Sequence, residues 1–267
     1  MLASVLPLLA CACSPDAPDA PATPATAPVA AARQADSPAP ASVPRAQRGA
    51  IDAAGVGSIR GTVRFEGQAP ERKPMQIGGV AGCPRHDTPP LTEDVVVSDG
   101  RLANVLVHVK EGQQGWDVPP PPSAAARLDQ QGCLYRPHAL ALRAGQRLEV
   151  HHLDPAIAHN VNIRSDRNEA LNPTQAPGGP PVEWTPQKRE IGVRFECNLH
   201  NWMRAFVHVL DHPWFAVTGP DGTFAIEGLP PGEYVLEAWH EKLERRTVRA
   251  VVRASSASEV EITFRAP

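Results

Sequence analysis

The chain has no excess of charge of one sign. Its 267 residues carry 26 Lys and Arg against 29 Asp and Glu, a formal net charge of -3, with the two signs interspersed. That leaves no basic stripe to neutralise a phosphate backbone, so nucleic acid is not an expected partner. Helical periodicity of apolar residues is hard to find, which leaves little ground for a helical fold. The sequence offers no glycine loop for phosphates, no Ser-His-Asp context and no H-E-x-x-H zinc-protease motif. The apolar run from Met1 to Ala10 is far shorter than the ~20 residues that a membrane-spanning helix needs. Methionine is rare too, with 3 in the chain, one of them Met1.

What recurs instead is short alternation between turn signals, the mark of an all-β chain. In Gly57 to Phe65, the side chains of Ile59, Val63 and Phe65 fall on one strand face. Asn104 to Val109 and Leu140 to Val150 supply further strands, the latter broken by a turn at Gly145-Gln146. Gly112 to Ala126 is proline-rich and expected to be a surface loop, as is Asn168 to Gln187. Ile191, Val193, Phe195 and Cys197 alternate with polar or small residues, which puts the cysteine on the apolar face where a strand runs out. Ala205 to Leu210 reads as the next strand.

Between those two strands lies Cys197-Asn198-Leu199-His200-Asn201-Trp202-Met203, a C-x2-H-x2-M loop, and His159-Asn160 precedes it in the chain. A thiolate, two imidazoles and a thioether suit copper: sulfur favours Cu(I), imidazole serves both oxidation states, and a His2Cys set with a weak axial Met lies between their preferred geometries. Zinc has little use for a thioether. Each residue also has an ordinary reading, since a cysteine on an apolar strand is commonly a buried hydrophobe or half a disulfide. Their order and spacing together carry the metal expectation.

His159-Asn160-Val161 with C-x2-H-x2-M resembles the cupredoxins, the type 1 blue copper proteins of the plastocyanin and amicyanin kind, and its spacing is most similar to amicyanin. The resemblance implies a β-sandwich holding one copper ion through His159, Cys197, His200 and axial Met203. It implies that Asn160 ties the two ligand loops together. It further implies an exposed edge of His200, flanked by Leu199 and Trp202, as the port for electrons, with His159 lying deeper.

Of the 5 cysteines, Cys11 and Cys13 lie in the N-terminal segment. That leaves Cys83, Cys133 and Cys197 in the folded part, and pairing Cys83 with Cys133 frees Cys197 for metal. The competing arrangement is a second metal cluster of Cys83, His86, Cys133 and His138, whose spacing is irregular. Leu8-Leu9-Ala10-Cys11 resembles the lipobox of bacterial lipoproteins, whose cysteine becomes lipidated, with Cys13 a weaker second fit. Residues 1–13 are thus expected to be a signal segment. Residues 14–54, dominated by Pro and Ala, are expected to be a disordered tether, since such composition buries too little to offset ordering.

Residues 55–210 read as the copper domain and 211–267 as a second unit. In the latter, G-x-D-G-x-F-x-I-x-G-L-P-P-G-x-Y-x-L, from Gly219 to Leu236, resembles the carboxypeptidase regulatory-like domain. That resemblance implies a small transthyretin-like β-sandwich serving as a structural or interaction module. His151 and His152, adjacent on a strand, point to opposite faces and read as structural. Trp239 reads as core packing.

The expected function is one-electron transfer outside the cytoplasm with a transient redox partner, through a small interface. The protein is expected to be exported, periplasmic or at the cell surface, and anchored through lipid. Copper storage or delivery, and a metal-free interaction module, are the other readings. No second exposed histidine cluster for a substrate is evident, so an electron carrier is expected rather than a catalyst.

Overall fold

The computed structural model describes residues 49–77 and 79–266. The signal segment with Cys11 and the greater part of the 14–54 tether lie outside the described residues. The chain is all-β, and the described residues contain no helix.

The strands are β1 (Gly57–Glu66), β2 (Val97–Ser98), β3 (Arg101–Leu102), β4 (Leu106–Glu111), β5 (Ala126–Gln130), β6 (Tyr135–Arg136) and β7 (Ala139–Arg143). They continue with β8 (Leu148–His152), β9 (His159–Asn160), β10 (Asn162–Arg164), β11 (Thr174–Gln175), β12 (Val182–Trp184) and β13 (Glu190–Glu196). The last are β14 (Arg204–Leu210), β15 (Phe215–Val217), β16 (Thr223–Leu229), β17 (Gly232–Trp239), β18 (Arg246–Val252) and β19 (Ala257–Arg265).

They build two sandwiches. In the first, a sheet of β16, β1, β3 and β2, with β19 on the other edge of β1, faces a sheet ordered β15-β4-β17-β18. Its core includes Ile59, Val63, Phe65, Val107, Trp214, Phe224, Leu236 and Phe264. In the second, a sheet ordered β10-β13-β14-β7 faces one ordered β12-β8-β5-β6, with the pair β11-β9 alongside. Leu128, Leu148, Ile163, Trp184, Val193, Phe195 and Val207 fill that core.

Strand hydrogen bonding runs across the 210/211 boundary expected from sequence. β1 pairs antiparallel with β16 and parallel with β19, while β4 lies between β15 and β17. The physical reason is edge closure: β15 to β19 alone would leave β17 and β19 with open edges, and unpaired edges are a liability that folds cover. The early strands cover them. Gly61 makes the central pairing possible, because a Cβ there would sit 2.2 Å from the Val260 carbonyl oxygen.

Turn residues appear where the sequence puts them, yet several turns join sheets rather than adjacent strands. The Gly219–Gly222 turn, closed by Gly222 N donating to Gly219 O at 2.9 Å, carries the chain from β15 in one sheet to β16 in the other. Gly145-Gln146 likewise joins β7 and β8 across the sandwich. The stretch 168–187, expected as loop, contains β11 and β12; Trp184 is buried there and donates to the Glu169 carbonyl.

Two connections bring the sandwiches together. The segment between β1 and β2 leaves the first sandwich and lies on the second, where Ile77 is wholly buried in the core and Met75 and Cys83 pack against it. At the junction, Trp239 of β17 packs over His208 of β14, with ring centres 4.7 Å apart. A bulge in β13 accommodates it: Gly192 has φ of 81° and donates its N–H to His208 Nδ1 at 3.0 Å. Buried His208 and His212 each keep an Nε2 with no hydrogen-bond partner, while buried His108 Nε2 lies 3.4 Å from Glu237 Oε1. His138 and Glu241 add a polar link at 2.6 Å.

Candidate metal centre

β9 begins with His159, and the β13–β14 connection carries Cys197, His200 and Met203, so both segments end at the same side of the second sandwich. The connection is tight. Met203 N donates to His200 O at 2.9 Å and Cys197 N to Met203 O at 3.3 Å, which folds the three residues into one turn. Cys197, His200 and Met203 are all buried, at 2%, 2% and 1% exposure.

Two ring nitrogens and a thiol sulfur converge there. His159 Nδ1 lies 3.0 Å from His200 Nδ1, and Cys197 Sγ lies 3.9 Å from the former and 3.6 Å from the latter. An ion at ~2.0–2.1 Å from nitrogen and ~2.3 Å from sulfur, the lengths of late first-row metals, separates trigonal donors by roughly 3.5–3.7 Å. The two sulfur distances fit that frame, and the 3.0 Å between the ring nitrogens is shorter than it, so the rings must part slightly to admit an ion. Cys197 is the free thiol among the described cysteines.

His159 is oriented by its outer nitrogen. Its Nε2–H donates to Asp154 Oδ2 at 2.9 Å, which turns Nδ1 towards Cys197 and His200. Asp154 is itself held, accepting from Gly132 N at 2.7 Å and Cys133 N at 2.8 Å. Burial works against its charge, but these bonds and the His159 ring outweigh it and hold the carboxyl below its usual range. Burial also pulls His159 down, and the Asp154 and Cys197 partners more than reverse that. For Cys197, burial would raise the thiol, but the His159 ring and nearby backbone N–H groups win and lower it. His200 is lowered by burial and by the charge of His159.

Asparagine and tyrosine side chains bind the segments together. Asn160 Oδ1 accepts from Asn198 N at 2.5 Å, its amide donates to Asn172 Oδ1, and Asn162 donates to Asn198 Oδ1 at 2.7 Å. Buried Tyr135 reaches both sides, its hydroxyl lying 3.2 Å from Asn160 O and 3.3 Å from Glu196 O, and burial raises its pKa. Sequence reasoning missed Tyr135 and Asp154. The only signal for Asp154 was its place five residues before His159.

Cys83 and Cys133 form a disulfide. The alternative cluster is not assembled: His86 Nε2 contacts Gly132 O at 3.1 Å, and His138 pairs with Glu241. His151 pairs with Glu149 at 3.1 Å, away from the site, whereas His152, its Nε2 donating to Ile157 O at 2.8 Å, offers no ligand atom but packs its ring against His159, centres 4.8 Å apart.

The expected exposed edge of His200 is a correction. The residue is 2% exposed, as its Nε2 faces Cys83 Sγ at 3.9 Å and its ring lies beside Trp202, centres 5.2 Å apart. The disulfide-held segment before β2 covers it. Leu199 remains exposed at 59%, and Trp202 is half-buried, donating its indole N–H to Cys133 O at 2.9 Å.

No protein-family model and no curated protein matches the chain. Among solved structures, a mutant amicyanin in the Cu(I) state is similar at 17% identity over 39% of this chain and 98% of its own, with a TM-score of 0.29. A purple cupredoxin from Nitrosopumilus maritimus is similar at 18% identity over 32% of this chain and 99% of its own, with a TM-score of 0.27. A copper-containing nitrite reductase from Thermus scotoductus SA-01 is similar at 15% identity and a TM-score of 0.30, over 38% of this chain and 25% of that one, so the match spans about a quarter of the reductase.

Proposed function

We propose that the chain is a type 1 copper protein of the cupredoxin kind that carries single electrons outside the cytoplasm. His159, Cys197 and His200 would hold the ion through two ring nitrogens and a thiolate, with Met203, buried on the same turn, as the weaker fourth donor. One observation carries this reading: the Nδ1 atoms of both histidines and the Cys197 sulfur face one another at 3.0 to 3.9 Å, with the His159 proton committed elsewhere. Copper held there supplies a one-electron couple. The chain's own residues orient the donors, exclude water from them and keep the thiol easy to deprotonate.

Electrons pass through His200 and then through its neighbours, Trp202 and Leu199, to a transient redox partner. Residues 211–267, which resemble the carboxypeptidase regulatory-like domain, serve as an interaction module, and export with a lipid anchor at Cys11 places the protein at a membrane surface. The test is direct. Cu(II) added to purified protein produces an intense visible thiolate-to-copper band with a reversible voltammetric couple, and Cys197→Ser abolishes both. A band that survives this substitution defeats the ligand assignment.

Copper delivery is the second reading, and the 2% exposure of His200 beneath the disulfide favours it. Under that reading, the bound copper exchanges readily with a chelator and cycles poorly at an electrode.

A further inference from the structure

His200 has a soft neighbour on each side of its ring. Nδ1 looks towards Cys197, and Nε2 looks outward at Cys83 Sγ, 3.9 Å away. Cys83 Sγ, Cys133 Sγ and a His200 ring nitrogen all lie within 4.8 Å of one another, a donor group separate from the set of His159, Cys197 and His200 except for the shared imidazole. The two cysteines are built differently. Cys133 is wholly buried and fixed on both sides of its backbone, its N–H donating to Asp154 and its carbonyl accepting from Trp202. Cys83 is half-buried in a turn that closes on Val80 O at 3.2 Å, within the segment laid over the second sandwich. One sulfur is anchored; the other sits on the side from which an ion would enter.

We infer that Cys83 and Cys133, once reduced, hold a second soft ion, Cu(I), beside the outer edge of His200. The inference deepens the copper reading above and rests on it for the choice of ion. Opening the bridge takes two electrons and two protons. A dithiol supplies both and leaves as its own cyclic disulfide, so the S–S bond of the protein breaks and two thiols remain. When Cu(I) binds, two Cu–S bonds form, the thiol protons go to solvent and copper keeps its oxidation state. Thiolates select Cu(I) among the available ions, and the two of them hold it beside His200, whose Nε2–H keeps its proton while Nδ1 faces the inner ion. The oxidised chain then holds one ion and the reduced chain two. This makes the bridge a switch of capacity, closed when the protein shuttles electrons and open when it takes up or hands over metal.

The test is an anaerobic Cu(I) titration of the full chain against a chromophoric chelator, with thiols counted beforehand. The air-oxidised protein is compared with protein reduced by a dithiol that is then removed. The expected result is one ion in the oxidised form and two in the reduced form. Cys83→Ser and Cys133→Ser, each under reducing conditions, return the count to one while Cys197→Ser in the reduced form leaves the outer ion bound. Equal counts in the two wild-type forms, or a second ion that survives both serine substitutions, overturn the inference. An oxidised form that binds no copper instead counts against the function proposed above, and the difference between forms still decides this one.

Discussion

Asp154 accepts three hydrogen bonds at once, from His159 Nε2 and from the N–H groups of Gly132 and Cys133. Asp154→Ala therefore frees the His159 ring to turn and leaves two backbone donors unpaired. Outer partners of ligating histidines are typically worth 10–100-fold in metal affinity, and each stranded buried donor costs about 1–3 kcal/mol. The expected outcome is copper binding weakened by about that factor, read by chelator competition, together with a lower urea midpoint. Unchanged affinity with a lowered midpoint would reduce Asp154 to a turn residue. Cys197, His200 and Met203 were legible because their relation is local, fixed by a single turn. Tyr135 was not, since it joins strands that meet only in the fold, nor was Asp154, which is close to His159 in the chain but is aimed at it by the backbone of Gly132 and Cys133. The exposure of His200 was misread for the same reason, because its cover comes from a segment more than a hundred positions away.

Strands that alternate cleanly, such as β1 and β13, could be read from their own residues. Their neighbours could not. Gly61 looks like an ordinary weak point inside a strand, but it lies between β16 and β19, where a Cβ would press 2.2 Å from the Val260 carbonyl and 2.8 Å from the Phe224 ring. Gly61→Val forces backbone apart at the centre of the first sandwich, and overpacking of this kind costs about 1–3 kcal/mol or more. Urea unfolding should show that loss while copper still binds the second sandwich. A midpoint equal to wild type would mean that the sheet relaxes freely around the added side chain. The long stretch 168–187 also misled, since β11 and β12 are too short for alternation to register.

At the scale of the molecule, the junction stores histidines in their neutral form. Burial, with the charge of His108 added, takes His208 down to about 3; burial takes His212 to about 4 and His240 to about 4. Unfolded, each titrates near ~6.5, so below that pH the unfolded chain binds protons that the folded chain refuses. Stability is intact above pH ~6.5 and falls as pH drops towards about 4, by about 1 kcal/mol per pH unit for each histidine. Urea midpoints between pH 7 and 5 should trace this slope, and His208→Gln should flatten it; a midpoint independent of pH in that window would contradict the burial of these rings as neutral groups. Composition and turn signals gave the all-β class, but the partition of strands between sandwiches depends on pairings such as β1 with β19, invisible to any local pattern. That pairing has a further consequence. The strands of the half that carries Cys197 follow one another without interruption from β5 to β14, whereas the other half opens before them and closes after them. As the chain emerges outside the cytoplasm, N-terminus first, the inner parenthesis can shut while the outer one still waits for its last stroke, so copper meets a finished pocket in a chain whose earliest strand is still without its mate.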